Sequence, residues 1–216
     1  LTKINLELFK NLTSLTSFDI GNNFLDEIDI TIFSYFKKLE HLNLNNNNKK
    51  NLLIKEKQHM IKFNNLKRLY LNNTSFDLIK LFDFSSTLGS LEELDLSFND
   101  LSGDKIRLKN LNNLKTLKIK NTNQIISSKH IDFFKKSKQI QLDLSKNFIF
   151  YQNFSFLLNS INLLKISLAY TNITDLEQIT NMLNSNILLD YLDLSYNKIK
   201  LIKRFYFEKN SNLQYV

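Results

Sequence analysis

An apolar pattern returns along this chain about every 24 residues. The units follow the form Leu-x-x-Leu-x-Leu-x-x-Asn, as at Leu91, Leu94, Leu96 and Asn99, with other apolar residues at some Leu positions and Thr at some Asn positions. Eight such units start near residues 15, 39, 66, 91, 114, 139, 163 and 189, with partial units at both ends. A period of this length predicts a stack of similar structural units, each of which packs against its two neighbours.

The core of each unit predicts a short strand. Leu94 and Leu96 alternate with polar residues, so one face of the strand is apolar. A strand this short cannot bury that face alone, and we expect successive strands to pair in parallel over one continuous core. At the end of each strand an Asn or a Thr is expected to satisfy backbone groups that the turn leaves unpaired. These residues are Asn23, Asn47, Thr74, Asn99, Thr122, Asn147, Thr171 and Asn197.

Three units carry the motif Leu-Asp-Leu-Ser-x-Asn in full, at residues 94–99, 142–147 and 192–197. On this motif and its spacing, nearly the whole chain resembles the leucine-rich-repeat family. The resemblance implies an α/β solenoid in the shape of a horseshoe, with a parallel β-sheet on the concave side and loops or short helices on the convex side. The motif is specific for this fold and unspecific for function.

The segments between the strands are less regular. The sequence Thr174-Asp175-Leu176-Glu177 has the form of a capping box and predicts a helix over about 175 to 185. Further helices are predicted around 78 to 84 and 129 to 136. The polar run 48–51 predicts an outer loop. Gln139, which stands where Leu is expected, indicates either a local irregularity or a place where a partner meets the sixth unit.

Composition sets limits on the class of protein. No Pro-rich or Ser-rich linker divides the 216 residues, which predicts a single domain over 1–216. No stretch has the roughly 20 apolar residues of a membrane helix. The absence of Cys favours an intracellular, cytoplasmic compartment slightly, whereas the repeat resembles the extracellular subclass, so localisation stays open. Because Leu1 is not an initiator Met and Val216 falls inside a repeat, we expect a fragment, and the sequence leaves the oligomeric state open.

Residues that would carry catalysis or bind a metal are sparse. The histidines are His41, His59 and His130, and no Cys or carboxylate cluster accompanies them at metal-ligand spacing. The acidic cluster Glu92, Glu93 and Asp95 runs along one strand, and neighbouring strand residues point to opposite faces, so we expect these carboxylates not to converge as an acid/base pair. The sequence therefore predicts no enzyme activity, no catalytic residue, no metal and no cofactor.

The polar strand positions predict where a partner would bind. They face the concave side, and corresponding positions of adjacent strands form rows about 4.8 Å apart. Tyrosines gather at the C-terminal end of these rows, which suits a protein-binding hot spot because Tyr offers a large contact area with little rotamer loss. Packing of the rings on one another is the alternative. The predicted contact residues are Tyr170, Tyr191 and Tyr196, supported by Asp193, Phe98, Lys118 and Lys120, with Tyr215 nearby.

The favoured function is a non-catalytic module that binds a protein on its concave face. A net charge of +8 supports an alternative, a basic scaffold on RNA or a ribonucleoprotein particle. Abundant Asn and Lys follow AT-rich codons, which weakens the charge as a functional signal, and the basic runs are scattered over turns and outer segments. A third hypothesis is that these repeats target an enzyme domain that lies outside this chain.

Overall fold

The computed structural model describes residues 1–28, 30–47, 53–54, 63–74, 88–101, 111–122, 140–149, 157 and 163–216. In these residues eight parallel strands form one sheet in the order β1-β3-β5-β6-β7-β8-β9-β10, and β2 pairs with β4 in a second, two-stranded sheet. In chain order the strands are β1 (Ser17–Asp19), β2 (Glu27–Ile28), β3 (His41–Asn43), β4 (Leu53–Ile54), β5 (Arg68–Tyr70), β6 (Glu93–Asp95), β7 (Thr116–Lys118), β8 (Ile140–Asp143), β9 (Leu163–Ser167) and β10 (Tyr191–Asp193).

The register of the large sheet follows the repeat. Leu42 lies opposite Leu69, which lies opposite Leu94, and Leu94 lies opposite Leu117. Each of these four side chains is at most 2 % exposed. The leucines between the polar strand positions therefore form one continuous apolar layer beneath the sheet, as the alternating pattern predicts.

Short helices lie between the strands. The segment predicted as a helix over about 175 to 185 contains a 3-10 helix, Leu176–Gln178, and an α-helix, α1 (Thr180–Ser185). Asp175 caps the first of them, because its carboxylate accepts a hydrogen bond from the backbone N–H of Glu177 at 2.9 Å. The remaining described 3-10 helices are Leu6–Phe9, Ile30–Tyr35 and Arg204–Phe207. The predicted helices around 78 to 84 and 129 to 136 lie outside the described residues.

The sixth unit departs from the regular register. A β-bulge lies between Ile140 and Gln141, and the buried Ile140 pairs with Leu163. This bulge is a local irregularity at the unit where the sequence indicates one. Gln139 itself and the polar run 48–51 lie outside the described residues. The pairing of β2 with β4 was not predicted from the sequence.

A hydrogen-bonded ladder of Asn and Thr joins the units where the strands end. The side-chain nitrogen of Asn147 donates to the backbone oxygen of Leu144 at 2.9 Å and to that of Ile119, one unit earlier, at 2.7 Å. Its side-chain oxygen accepts from the backbone N–H of Thr122 at 2.8 Å and from the Thr122 hydroxyl at 3.0 Å. One buried amide therefore satisfies backbone groups of two successive units.

Asn and Thr alternate along this ladder from Asn47 onward. Thr74 donates to Asn99, and Thr171 donates to Asn197, as Thr122 does to Asn147. The hydroxyls of Thr74 and Thr171 donate to a backbone oxygen of their own unit, at 2.7 and 2.6 Å. These two Thr residues therefore bond within their own turns, and all three donate their backbone N–H to the longer Asn side chain of the next unit. The two residue types are complementary as donor and acceptor.

We predict that Asn147→Ala lowers the free energy of unfolding by about 1–3 kcal/mol, because it leaves buried backbone groups without partners. Urea unfolding measures this change. Asn112→Ala is the matched control, since Asn112 is exposed in the neighbouring turn. Equal stability of Asn147→Ala and the parent would mean that the ladder does not hold the units together.

Candidate functional site

The residue just before each ladder residue adopts a left-handed backbone conformation, with φ between 51° and 59°. We call these positions the turn row: Asn22, Asn46, Asn73, Phe98, Asn121, Lys146, Tyr170 and Tyr196. Asn tolerates this conformation well, whereas larger side chains adopt it at a cost of roughly 1–2 kcal/mol. The repeat spacing groups these residues but does not reveal their backbone conformation, although Asn at four of the eight positions is a signal for it.

The turn row changes character along the solenoid. In the N-terminal units its amides bond to one another: Asn46 donates to Asn22 at 2.8 Å, and Asn73 donates to Asn46 at 3.0 Å. In the C-terminal units Tyr170 and Tyr196 occupy the same positions and are 48 % and 72 % exposed. Two bulky, exposed rings therefore adopt the left-handed backbone conformation that Asn adopts in four other units.

A groove of about 480 Å³ lies over β7, β8, β9 and β10 on the solvent-facing side of the sheet. Six of the seven predicted contact residues line it: Lys118, Lys120, Tyr170, Tyr191, Asp193 and Tyr196. Phe98 is exposed but is not among its lining residues. The groove brings together residues from four units that are far apart in the sequence.

The tyrosines pack in pairs and still present surface to solvent. The rings of Tyr170 and Tyr196 stack with centroids 4.2 Å apart and an interplanar angle of 8°. Tyr191 contacts Tyr215 with ring centroids 6.0 Å apart. The rings therefore pack on one another, as one of the two alternatives holds, and they also remain accessible to solvent. Partial burial and the neighbouring Tyr196 raise the pKa of Tyr170, so its hydroxyl stays neutral at physiological pH.

Asp193 has a local structural role. Its carboxylate accepts hydrogen bonds from the backbone N–H of Ser195 at 3.0 Å and from the hydroxyl of Ser167 at 2.9 Å. Burial opposes its charge, but these bonds and the nearby Lys120 outweigh burial and lower the pKa of Asp193. Side chains at the same position of other units accept a hydrogen bond from the backbone N–H two residues on, namely Asp19, Asn43, Asp95 and Asp143.

The groove also holds four lysines. Lys118 forms an ion pair with Glu93 at 3.4 Å. The ammonium of Lys146 lies 5.5 Å from the centroid of the Tyr170 ring, within the range of a cation–π contact. Lys120 and Lys165 line the groove as well. Lys146 and Lys165 were not among the residues predicted as contacts. They lie at the groove because strands from different units pair side by side.

The acidic residues of the fourth unit each have a different partner. Glu92 pairs with Lys115 at 2.8 Å, while Asp95 accepts from the backbone N–H of Ser97. Glu93 lies near Arg68 and Lys118, and it accepts a hydrogen bond from the Tyr70 hydroxyl at 2.9 Å. The half-buried Glu93 and Asp95 both alternate with the buried Leu94 and so share one face of β6, which corrects the expectation that the strand turns these two carboxylates to opposite faces.

The residues that the structure describes lack two further features, a cluster of metal-ligating side chains and a membrane-spanning helix. Among them no group of three or more His, Cys, Asp or Glu side chains is placed to hold a metal ion. None of their helices has the length and apolar character needed to cross a membrane.

Comparisons with known proteins agree with this architecture. Residues 90–111 match the family model described as Leucine Rich Repeat. Among 232 matching chains of solved structures is an internalin from Listeria monocytogenes, with 19% sequence identity, a TM-score of 0.56, and coverage of 99% of this chain and 68% of that chain. No curated protein matches the sequence. Residues 90–111 therefore match a leucine-rich repeat, and the chain has the solenoid fold of leucine-rich-repeat proteins.

We predict that Asp193→Ala destabilises the C-terminal units by about 1 kcal/mol, because the Ser195 N–H and the Ser167 hydroxyl lose their acceptor. Asp193→Asn keeps an acceptor, as Asn43 does, and should stay closer to the parent. Since the pKa of Asp193 is lowered on folding, the parent's advantage over Asp193→Asn should be present above pH 3.8 and be lost as the pH falls through the folded-state pKa. Urea unfolding at pH 7 and pH 3 measures both effects; equal stability of all three proteins would contradict the structural role.

We predict that Tyr196→Asn is more stable than Tyr196→Ala by about 0.5–1 kcal/mol. Both variants remove the ring and its stacking, but Asn adopts the left-handed conformation more readily than Ala. Thermal or urea unfolding of the two variants gives the difference directly. An Ala variant as stable as the Asn variant would show that the turn-row conformation carries no such cost at this position.

Proposed function

We propose that this chain is a non-catalytic protein-interaction module whose partner binds in the groove over β7 to β10. The observation that carries the proposal is the exposed, stacked pair Tyr170–Tyr196 in left-handed turn-row positions at that groove. These rings cost stability where Asn would be better accommodated, and strained residues of this kind concentrate at binding sites. Contact with a partner explains why bulky aromatic residues occupy these positions.

The scaffold supports tight recognition through rigidity. The strands that carry Tyr191 and Lys118 are fixed by their neighbours in the sheet, and the ladder fixes the turns that carry Tyr170 and Tyr196. A preformed surface loses little conformational entropy on binding. Stacking already restricts the Tyr170 and Tyr196 rings, which lowers the remaining cost of ordering them.

The alternative of an RNA scaffold draws support from the lysines and stackable rings of the groove. Two carboxylates, Asp143 and Asp193, also line it, and they repel the evenly spaced charges of a phosphate backbone more than a protein segment that places its acidic residues only at the lysines. The mixture of charges and aromatic surface favours a protein partner. The hypothesis of an additional enzyme domain concerns sequence outside this chain and leaves the binding proposal unchanged.

Affinity capture from native lysate treated with nuclease tests the proposal. The baits are the parent, Tyr170→Asn/Tyr196→Asn, and Tyr35→Ser, a control at an exposed tyrosine at the end of the 3-10 helix Ile30–Tyr35. Asn is chosen because it occupies the same turn-row position in other units, so the double variant keeps its fold.

We expect the parent and Tyr35→Ser to retain the same protein and the double variant to lose at least about tenfold of it, since aromatic hot-spot residues commonly contribute 2 kcal/mol or more. Circular dichroism confirms that all baits are folded. Equal recovery by the parent and the double variant would exclude the groove as the binding site. The parent is also captured from lysate without nuclease, and bound material that is present there but lost on nuclease treatment would favour the RNA alternative.

A further inference from the structure

We infer that the groove receives an extended protein segment rich in Asp or Glu that also carries an aromatic or apolar anchor. This inference rests on the proposed function and specifies the partner's chemistry. The first argument is charge. Lys120, Lys146 and Lys165 line the groove against two carboxylates, Asp143 and Asp193, while the charge of the fourth lysine, Lys118, is offset by Glu93.

The two carboxylates are already engaged within the fold. Asp143 accepts hydrogen bonds from the backbone N–H and the hydroxyl of Ser145, at 2.9 and 2.6 Å. Asp193 is held by Ser195 and Ser167 in the same way. These internal bonds engage the two carboxylates as acceptors for the turns, and three lysines without an ion pair among the described residues, against two carboxylates, leave the groove with an excess of positive charge.

Lysines elsewhere on the sheet have partners from the chain itself. Lys67 pairs with Glu40 at 2.9 Å, and Lys115 pairs with Glu92 at 2.8 Å. Within the part of the chain that the structure describes, no ion pair joins Lys120, Lys146 or Lys165 to a carboxylate. The unpaired ammonium groups therefore gather where the exposed tyrosines lie, and acidic side chains of a partner complement them.

The lysines and tyrosines together set the length of the segment. Lys120 follows β7, whereas Tyr191 and Tyr196 belong to the unit of β10, and Lys165 lies opposite Tyr191 in the sheet. Three strand spacings of about 4.8 Å separate the units of β7 and β10, a distance of roughly 14 Å that four or five extended residues span. Carboxylates of the segment meet Lys120 at one end and Lys165 beside the tyrosines, where its anchor binds.

Selection from a phage-displayed library of random 12-residue peptides on the folded parent tests the inference. Recovered peptides are synthesised with a fluorescein label, each beside a version with every Glu and Asp replaced by Gln and Asn, and titrated by fluorescence anisotropy. We expect enrichment of Asp or Glu together with Tyr, Phe or Trp. We also expect the amide versions to bind at least about fivefold more weakly and the acidic ones to weaken as salt is raised.

Two variants of equal charge locate the effect. Lys120→Gln/Lys165→Gln removes two unpaired groove lysines and should weaken the acidic peptides at least about fivefold. Lys67→Gln/Lys115→Gln removes two paired lysines outside the groove and should change the affinity less than about twofold. Equal weakening by both variants would overturn the inference, because net charge alone would then explain the binding.

Other outcomes separate this inference from the proposed function. Peptides that bind the parent but not Tyr170→Asn/Tyr196→Asn, and that are indifferent to the acid-to-amide change, would overturn the acidic segment and leave the protein-binding groove in place. Peptides that bind both proteins equally would overturn both proposals. A labelled 12-nucleotide single-stranded RNA is titrated in parallel, and tighter binding of the RNA that depends on Lys120 and Lys165 would overturn the inference in favour of nucleic acid.

Discussion

The Asn/Thr ladder is the constraint on which the rest of this structure depends. Asn197 donates to backbone oxygens of Leu168 and Leu194 and accepts from the N–H of Thr171, so it fixes two successive turns at once. The residue before each ladder position completes the turn in a left-handed conformation. The same bonds that hold the units in register therefore decide where Tyr170 and Tyr196 project, and scaffold and candidate site share one set of interactions.

The solvent-facing side of the sheet has two regions that differ in their charges. In the region around Glu93 the charged side chains pair with one another, and in the region toward β10 several lysines have no ion pair within the described part of the chain. Around Glu93, the Tyr70 hydroxyl and the cations of Arg68 and Lys118 meet within one cluster, and burial together with the Glu93 hydrogen bond raises the pKa of Tyr70 to about 12. Toward β10, polar side chains are engaged with local backbone while lysines and rings remain open to solvent. A partner gains more from the second region, because the first has few unsatisfied groups to offer.

Sequence alone predicted the strands and the ladder because both depend on spacing within one unit: Leu94, Leu96 and Asn99 are separated by fixed steps along the chain. The predicted tyrosines also share one groove, since the polar strand positions repeat with the same period. The role of Asp193, the bulge at Ile140 and the ion pair of Lys115 with Glu92 were not predicted. They depend on backbone conformation or on which side chains meet between units, and a repeat pattern does not specify these.

Site-specific photo-crosslinking tests directly whether a partner occupies the groove. The photoreactive residue p-benzoylphenylalanine replaces Tyr191 in one protein and Tyr35 in another, and both are irradiated in native lysate treated with nuclease. We expect a discrete protein adduct from position 191 that is absent from position 35. An adduct of equal yield from both positions, or one from position 35 alone, would contradict a partner site in the groove.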